Sequence, residues 1–246
     1  MTEFDGSNWA KPEFSDAYRE NADIFIVERR RMFHIVKSYY VQFFSRNKQR
    51  SILDLGCGDG ILSNELLNVD GSLSATLVDG SADMLDKARE RLKRFKDVHY
   101  VNASFQDIIG QRILERQFDF IFSSLAIHHL TMDEKTALFK TIYSHLSGGG
   151  HFLNIDVVLA PAEPLEKWYL SLWKEWIDER KETLGREGGP FDNIIQRYKD
   201  NKDNKPDTLD DQLKVLERIG FRDVDCYYKY GIFSMYGGRK YKRLRQ

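Results

Sequence analysis

Three glycines at alternate positions follow an apolar run and an acidic residue in the stretch Ser-Ile-Leu-Asp-Leu-Gly-Cys-Gly-Asp-Gly, residues 51–60. Glycines at 56, 58 and 60 leave no Cβ atom where the backbone bends sharply, so a bound molecule can lie against the chain. A dinucleotide-binding turn would need its third glycine at position 61, which is Ile61. The stretch predicts a strand, a tight turn that holds a ligand, and a helix. A turn without a ligand is the alternative.

The same stretch resembles motif I of class I S-adenosylmethionine (SAM) dependent methyltransferases, (D/E)-x-G-x-G-x-G, with Asp54, Gly56, Gly58 and Gly60 at the motif positions. The resemblance implies that SAM is the cofactor and S-adenosylhomocysteine (SAH) the product. It also implies that the cofactor contacts Asp54, Gly56, Cys57 and Gly58.

A carboxylate ends the next predicted strand, residues 74–79. Asp79 follows Gly60 by 19 residues, which is where a nucleotide-binding α/β unit places the acid that accepts the ribose hydroxyls. We therefore predict that Asp79 binds the ribose, with Gly80 beside it. A helix cap or turn residue is the alternative, although Ser81 is the better cap.

Two further segments match the family at the adenine site. Residues 81–89, Ser-Ala-Asp-Met-Leu-Asp-Lys-Ala-Arg, resemble the segment D-x-S-x-x-M-L-x-x-A-R, in which the methionine lines the adenine pocket. This implies that role for Met84, with core packing as the alternative. Ser104 stands where the family usually has an acidic residue on the adenine amino group. A serine can accept one hydrogen bond there, and Phe105 can complete the pocket.

Residues 118–130, Phe-Asp-Phe-Ile-Phe-Ser-Ser-Leu-Ala-Ile-His-His-Leu, show a buried-strand pattern that runs into a loop. They resemble motif IV of the small-molecule branch, S-x-L-x-x-H-H-L, whose loop lies beside the methyl donor. The resemblance implies cofactor contacts for Ser123 and Leu125 and an acceptor contact for His128. His129 is the first candidate for a general base, and a role in holding the loop is its alternative.

Methyl transfer from SAM is an in-line displacement at a carbon that the positive sulfur already activates. The protein has to align the reactants, exclude water and, for a protonated nucleophile, accept a proton. Asp156, which ends the run Phe-Leu-Asn-Ile-Asp, is the second candidate base. It is equally suited to cap a segment or to pair with Arg29 or Arg30. We predict that no metal is required.

Strand-like runs near 51–55, 75–79, 98–102, 118–123 and 151–158 alternate with helical patterns near 60–68, 82–95 and 132–146. This alternation predicts an α/β fold with a mainly parallel sheet and helices on both faces. Residues 224–237 resemble the antiparallel hairpin that closes the methyltransferase fold, which implies a Rossmann-like sheet of seven strands with the last strand antiparallel.

Two segments lie outside this alternation and are expected to define the acceptor. We divide the chain into a helical N-terminal cover (1–45), a SAM-binding core (46–159 and 208–246) and a helical insertion (160–207) that forms a mobile lid. The candidate acceptor contacts from these segments are Tyr18, Arg29, Arg30, Trp173 and Trp176, whose rings and charges suit a cation, an aromatic group or an anion. The alternative for the tryptophans is that they fill the contact between insertion and core.

With 246 residues, of which 41% are hydrophobic, the chain can bury one large core. Its net charge of -1 gives no general attraction for nucleic acid, and the short basic stretch at 239–245 is typical of a solvated end. We see no membrane span, signal peptide or cysteine spacing typical of a metal site, so a cytoplasmic location is expected. A homodimer is compatible with the sequence, which does not determine the oligomeric state.

These features predict a methyltransferase with a small-molecule acceptor, because motif IV lacks the N/D-P-P-Y/F signature of enzymes that methylate exocyclic nitrogens of nucleic-acid bases. The overall plan also resembles carboxy-SAM synthase, which modifies SAM itself. A SAM-binding regulator without catalysis is the third alternative. The atom that receives the methyl group stays open, because oxygen, nitrogen, sulfur and carbon are all methylated on this scaffold.

Overall fold

The computed structural model describes residues 12–44, 48–111, 113–185 and 193–242, with side chains described from Arg19 onward. Within these residues, a sheet of seven strands lies between two layers of helices. The strands are β1 (Ser51–Leu55), β2 (Ser74–Asp79), β3 (Val98–Asn102), β4 (Phe118–Ser124), β5 (Leu146–Val157), β6 (Arg222–Tyr230) and β7 (Phe233–Arg239).

The strands lie in the order β3-β2-β1-β4-β5-β7-β6. β1 to β5 pair parallel with one another, whereas β7 pairs antiparallel with both β5 and β6. This confirms the predicted Rossmann-like α/β sheet of seven strands with the last strand antiparallel. The chain order reverses between β1 and β4, and open α/β sheets bind ligands at the carboxyl ends of the strands at such a point.

Side-chain caps define where several helices begin. The Ser81 hydroxyl accepts a hydrogen bond from the Met84 amide, and Thr131 and Thr208 act in the same way. The helices are α1 (Pro12–Phe25), α2 (Arg29–Phe43), α3 (Ile61–Val69), α4 (Ala82–Leu92), α5 (Phe105–Gly110), α6 (Met132–His145), α7 (Glu163–Thr183), α8 (Ile194–Asp200) and α9 (Leu209–Ile219). The sequence pattern does not predict the short helices α5 and α8. None of the helices described is long and apolar enough to cross a lipid bilayer.

Strand β5 begins at Leu146, earlier than the predicted strand at 151. Its pairing with β4 passes from Phe118 opposite Leu146 to Phe120 opposite His151, so the register shifts across the glycines at 148–150. Glycines are unfavourable in regular strands but suit such a bulge, which explains why the pattern at these positions does not predict a strand.

Alternation along the strands divides the apolar side chains between two cores, one on each face of the sheet. Ile52 and Phe120 belong to the first core, and Leu53 and Ile121 belong to the second. The first core also contains side chains of the N-terminal helices and of α7, namely Ala22, Ile24, Met32, Phe33, Val36, Leu170, Trp173 and Ile177. Buried apolar contacts therefore hold α1, α2 and α7 in place.

Candidate cofactor and acceptor site

A cavity of about 530 Å³ opens at the carboxyl ends of β1, β2 and β4. This volume is in the range that accommodates one drug-sized ligand. Many of the residues predicted from the motifs line it together: Asp54, Gly56, Cys57, Gly58, Asp79, Gly80, Met84, Ser104, Phe105, Leu125, Arg29 and His129. The elements that follow three neighbouring strands thus contribute to one site.

The glycine turn at 56–60 follows β1 and forms part of the wall of this cavity. Gly56 and Gly58 have φ angles of 67° and 52°, which favour glycine. A Cβ atom on Gly56 would lie 2.5 Å from the Ala126 Cβ atom, whereas one on Gly58 would meet no atom within 4 Å. Gly56 is therefore required for packing against the loop after β4. Gly58 instead faces open space, where a ligand can lie against the backbone.

The Asp79 side chain, at the end of β2, is hydrogen-bonded to the glycine turn. One carboxylate oxygen accepts a hydrogen bond from the Gly58 amide and the other accepts one from the Ser81 amide, each at 2.8 Å. Burial raises the pKa of this carboxyl group, and the two hydrogen bonds oppose that shift. A carboxylate has about four lone-pair positions, so Asp79 can organise the turn and still accept ribose hydroxyls.

Asp59 is a second carboxylate of the turn, and two arginines neutralise it. Arg19 of α1 donates to Asp59 at 2.8 Å, and Arg91 of α4 donates to the same oxygen. Burial alone would raise the pKa of Asp59, but the two arginines lower it below its usual value. The sequence motifs do not predict this cluster, because Asp59 occupies a variable position and its partners lie 40 and 32 residues away.

Ser104 caps helix α5 beside the predicted adenine site. Its hydroxyl donates to the Asp107 carboxylate at 2.7 Å and accepts a hydrogen bond from the Asp107 amide at 3.1 Å. One lone pair of the hydroxyl is therefore left for a ligand. Met84 and Phe105 line the cavity on the same side.

His129 reaches the cavity from the short 3₁₀ turn Ile127–His129, which follows β4. Its Nδ1 atom lies 3.1 Å from the carbonyl oxygen of Asp203. Because a carbonyl only accepts, Nδ1 carries the hydrogen and Nε2 carries the lone pair. Burial, followed by the neighbouring His128, Lys205 and Lys135, lowers the pKa of His129 well below 6.5. The imidazole is therefore neutral at physiological pH and is a weak base.

The other two predicted polar groups, His128 and Asp156, lie behind the cavity wall rather than on it. The Nδ1 atom of His128 is 2.6 Å from the Asp156 carboxylate, and both side chains are buried. Asp156 also accepts hydrogen bonds from the Val157 amide and the Asn154 side chain. The structure thus pairs Asp156 with His128 and not with Arg29 or Arg30, and only His129 of the predicted polar groups in this region reaches the cavity.

Ser123 is also absent from the lining of this cavity. Its hydroxyl donates to the Leu55 carbonyl at 2.7 Å and is completely buried between neighbouring strands. The next residue, Ser124, lines the cavity instead. Successive side chains of a strand point to opposite faces, so the motif correctly indicates the strand end but not which of the two serines faces the ligand.

The residues predicted to contact the acceptor differ in whether they line the cavity. Arg29 and Arg30 both pair with Asp23, but only Arg29 lines the cavity, and the Arg30 side chain is 85% exposed. The indole nitrogen of Trp173 donates to the Phe25 carbonyl at 2.7 Å.

The indole nitrogen of Trp176 donates to the Ile24 carbonyl at 3.0 Å. Neither tryptophan is among the residues lining the cavity, and this geometry favours the alternative that they fasten the insertion. Tyr18 lies in α1, and its side chain is outside the described residues.

Residues 201–208, which we call the strap, contribute two cavity residues that the sequence does not predict, Asp203 and Lys205. The Lys205 amide donates to the His128 carbonyl at 2.8 Å, and the buried Lys135 ammonium donates to the Lys205 carbonyl and to Asp207. The strap is therefore a fixed part of the wall. The glycines proposed to allow lid movement at 188 and 189 lie outside the described residues.

A family model described as a methyltransferase domain matches residues 52–150, which span β1 to the first part of β5. This match covers the glycine turn, Asp79 and the loop that carries His129. The chain contains a class I SAM-dependent methyltransferase domain. SAM is the cofactor indicated for this domain.

Among curated relatives, this chain is 25% identical to carboxy-S-adenosyl-L-methionine synthase of Helicobacter pylori (strain G27) over 202 residues. That match covers 79% of this chain and 77% of the relative. A match of this length extends beyond residues 52–150.

Among solved structures, an O-methyltransferase family protein from Burkholderia thailandensis superposes with a TM-score of 0.67 at 13% identity. The match covers 98% of this chain but only 64% of that chain. Magnesium protoporphyrin IX methyltransferase from Synechocystis with bound SAH superposes with a TM-score of 0.62 at 14% identity, covering 94% and 95% of the two chains. At these identities the likeness shows the fold alone.

The residues of the cavity fit SAM as the cofactor of the methyltransferase domain. Gly58 leaves open space against the backbone, and Asp79 lines the cavity at the end of β2, the position at which nucleotide-binding α/β folds place a ribose acceptor. Asp54 is a buried carboxyl group whose only hydrogen bond seen among the described side chains comes from Ser63. It therefore suits a ligand that brings a positive charge, as the sulfonium of SAM does.

Proposed function

We propose that the protein transfers the methyl group of SAM to a small-molecule acceptor by in-line displacement. The observation that carries this proposal is the composition of the cavity wall. The glycine turn and Asp79 form its cofactor side, and side chains from three separate segments, Arg29, His129 and Lys205, complete it. A site for SAM and a second reactant would need both groups of residues in one cavity.

The size and charge of the site support a small acceptor. The cavity of about 530 Å³ leaves limited room once a cofactor of drug-like size is bound. The net charge of -1 gives no general attraction for a polyanion. A small metabolite that enters beside the cofactor is the acceptor class that satisfies both observations.

SAM supplies an activated methyl group, so the main tasks of the protein are alignment and the exclusion of water. The N-terminal helices close one side of the cavity through Arg19, Arg29 and Phe33. The strap closes another side, where the Lys205 amide and carbonyl are both hydrogen-bonded to neighbouring elements. These contacts fix the walls that would hold an acceptor in line with the methyl group.

The test is the cofactor affinity of the Asp79→Ala variant. Loss of a carboxylate that accepts ribose hydroxyls should cost about 1.5 to 3 kcal/mol, or about 10- to 150-fold in the dissociation constants of SAM and SAH. Asp86→Ala is the matched control, because Asp86 lies on the adjacent helix α4 and is 76% exposed. Calorimetry measures the affinities, and circular dichroism checks the fold. Unchanged affinity in a folded Asp79→Ala protein would remove Asp79 from the cofactor site.

A second candidate is an enzyme that modifies SAM itself. The similarity to carboxy-S-adenosyl-L-methionine synthase, which extends over 79% of the chain, favours it. Mass spectrometry of the ligand released from the purified, denatured protein separates the two candidates. SAM or SAH supports methyl transfer to another molecule, whereas a carboxylated SAM supports the second candidate.

A further inference from the structure

Neither of the two general bases predicted from the sequence is well suited to accept a proton from an acceptor in the cavity. Asp156 lies behind the wall and is engaged by His128, the Val157 amide and Asn154. His129 lies on the wall, but burial and the groups around it oppose its protonation. Those groups are His128 in the same turn, Lys135 of α6 and Lys205 of the strap, while the Asp203 carbonyl accepts from its ring. A hydroxyl or amine acceptor would have to lose a proton in these surroundings.

Lys205 adds a positive charge to the same wall. Its backbone is held on both sides, by the His128 carbonyl and by the Lys135 ammonium. None of the ion pairs seen among the described residues involves the Lys205 ammonium. The charge acts on its neighbours, because it contributes to lowering the pKa values of both His129 and Glu134. A cation beside a neutral imidazole suits an anionic ligand group.

We propose that the acceptor is a small carboxylic acid, that Lys205 binds its carboxylate, and that one carboxylate oxygen receives the methyl group to form a methyl ester. This inference rests on the proposed methyltransferase function and assigns its substrate class. Lys205 is then a residue that determines specificity, and His129 contributes a hydrogen-bonding surface rather than a base.

The chemistry of a carboxylate matches a site with a weak base. A lone pair of the carboxylate oxygen forms the new O–C bond, and the electrons of the breaking C–S bond pass to sulfur. The negative charge of the acceptor and the positive charge of the sulfonium disappear together, and no proton is released. Because opposite charges cancel, a cavity that excludes water favours the step. A hydroxyl or amine would instead release a proton that neither His129 nor Asp156 is well suited to accept.

The experiment uses the full-length protein, SAM labelled with tritium in the methyl group, and pairs of probe compounds. Each pair contains an aliphatic or aromatic carboxylic acid and the primary alcohol or amine with the same carbon skeleton. Alkali converts methyl esters into volatile labelled methanol, whereas methyl ethers and methylamines are stable to it. We expect labelled, alkali-sensitive product from acids, and a kcat at saturating SAM that is flat from about pH 6.5 to about pH 9 because no proton is transferred.

Variants of the strap test the role of Lys205. Lys205→Met should raise the KM for the acid about 10- to 100-fold, the effect of losing a charge-assisted hydrogen bond, with the SAM dissociation constant unchanged. Lys205→Arg should restore most of the affinity, because it keeps the charge. Lys202→Met is the matched control, since Lys202 is an exposed lysine of the same strap and should leave activity unaltered.

The possible results separate this inference from the function on which it rests. Label in an alkali-stable product, or transfer to alcohols and amines but not to acids, would overturn the carboxylate assignment and leave methyl transfer intact. SAM binding without transfer to any acid would also overturn it. Failure to bind SAM would overturn the proposed function itself. An acid KM equal in Lys205→Met and Lys202→Met would remove Lys205 from the acceptor site.

Discussion

Asp54 is a buried carboxyl group at the start of the glycine turn, and its surroundings determine when it is charged. Burial raises its pKa to about 7, the charges of Asp79 and Asp59 add to that shift, and the Ser63 hydrogen bond opposes it. The folded-state pKa exceeds the value of about 3.9 in an unfolded chain. This group therefore contributes stability to the free protein at low pH, and the contribution is lost as the pH rises from about 4 to about 7.

Cofactor binding should have the opposite dependence on pH at this residue. Ionised Asp54 favours a cationic ligand, so the affinity for SAM should fall below pH 7 by up to about tenfold per pH unit. SAH lacks the sulfonium charge and should show a smaller fall. Calorimetry at about pH 6 and about pH 8 checks this, and Asp54→Asn should remove the difference between the two ligands. Equal pH dependence for SAM and SAH in the native protein would contradict this role.

Arg29 and Arg30 provide a matched pair for testing the predicted anion contact of the N-terminal cover. Both pair with Asp23, but the Arg29 side chain is 12% exposed on the cavity wall, whereas that of Arg30 is 85% exposed. Arg29→Met keeps much of the apolar stem and should weaken SAM binding or raise the acceptor KM about 10- to 100-fold. Arg30→Met should change neither quantity. If the two variants behave alike in steady-state kinetics and calorimetry, Arg29 has no special role.

Residue identities could be predicted wherever local spacing determines the role. The turn at 56–60 and Asp79 belong to one βαβ unit, so counting along the chain predicts that they lie together, and they line one cavity. The motif predicts a cofactor contact for Ser123, but the adjacent serine lines the cavity, because the motif does not specify which side chain faces the ligand. The roles of Trp173 and Trp176 depend on carbonyls 148 and 152 residues away, a distance that no local pattern encodes.

Helix α1 connects the cofactor turn to the insertion. Near its middle, Arg19 binds Asp59 of the turn, and at its carboxyl end two carbonyls accept the indole N–H groups of α7. The last carbonyls of a helix have no partner within it, so the tryptophans satisfy groups that would otherwise need water. Helix α1 is therefore held near its middle and at its carboxyl end by polar contacts, in addition to its apolar packing.

Trp173→Phe tests this connection, because phenylalanine keeps an aromatic ring but lacks the indole N–H. Trp173 is 4% exposed, so the Phe25 carbonyl would be left without its partner and some packing would be lost. We expect a loss of about 1 to 3 kcal/mol in the free energy of unfolding, measured with urea. Trp168→Phe on the same helix is the control, because Trp168 is 54% exposed and its replacement should cost about 0.5 kcal/mol or less. Equal losses would contradict a special role for Trp173.

The strap shows where prediction at the level of elements fails. Residues 201–208 have a mixed-charge sequence without helical or strand periodicity, and their position depends on Lys135, His128 and His129 from other parts of the chain. The sequence therefore predicts a lid at this point but not which residues face the cavity. Lys205 and Asp203 become visible as site residues only when the insertion is folded back onto the loop after β4.

At the scale of the molecule, alternation of strand and helix patterns predicts the mainly parallel sheet, whereas its antiparallel end is implied by the family resemblance of residues 224–237. The alternation does not predict how deeply the N-terminal helices are integrated. Side chains of α1 and α2, among them Ala22 and Met32, are completely buried in the first core. Removal of residues 1–30 is therefore expected to destabilise the core as well as to impair turnover, so single substitutions are the sharper test of the N-terminal cover.

Because α1 contacts both the cofactor turn and the insertion, a ligand in the cavity should stabilise all three regions together. SAH at about 100 times its dissociation constant should add about 2.7 kcal/mol and raise the unfolding temperature by roughly 5 to 10 °C. Hydrogen exchange should slow in the glycine turn, in α1 and in the strap, whereas the β6–β7 hairpin, whose residues do not line the cavity, should be unaffected.

In the Arg19→Met variant, SAH should still slow hydrogen exchange in the glycine turn but should slow it less in α1 than in the native protein. Protection confined to the turn in the native protein would show that the N-terminal cover does not respond to the cofactor.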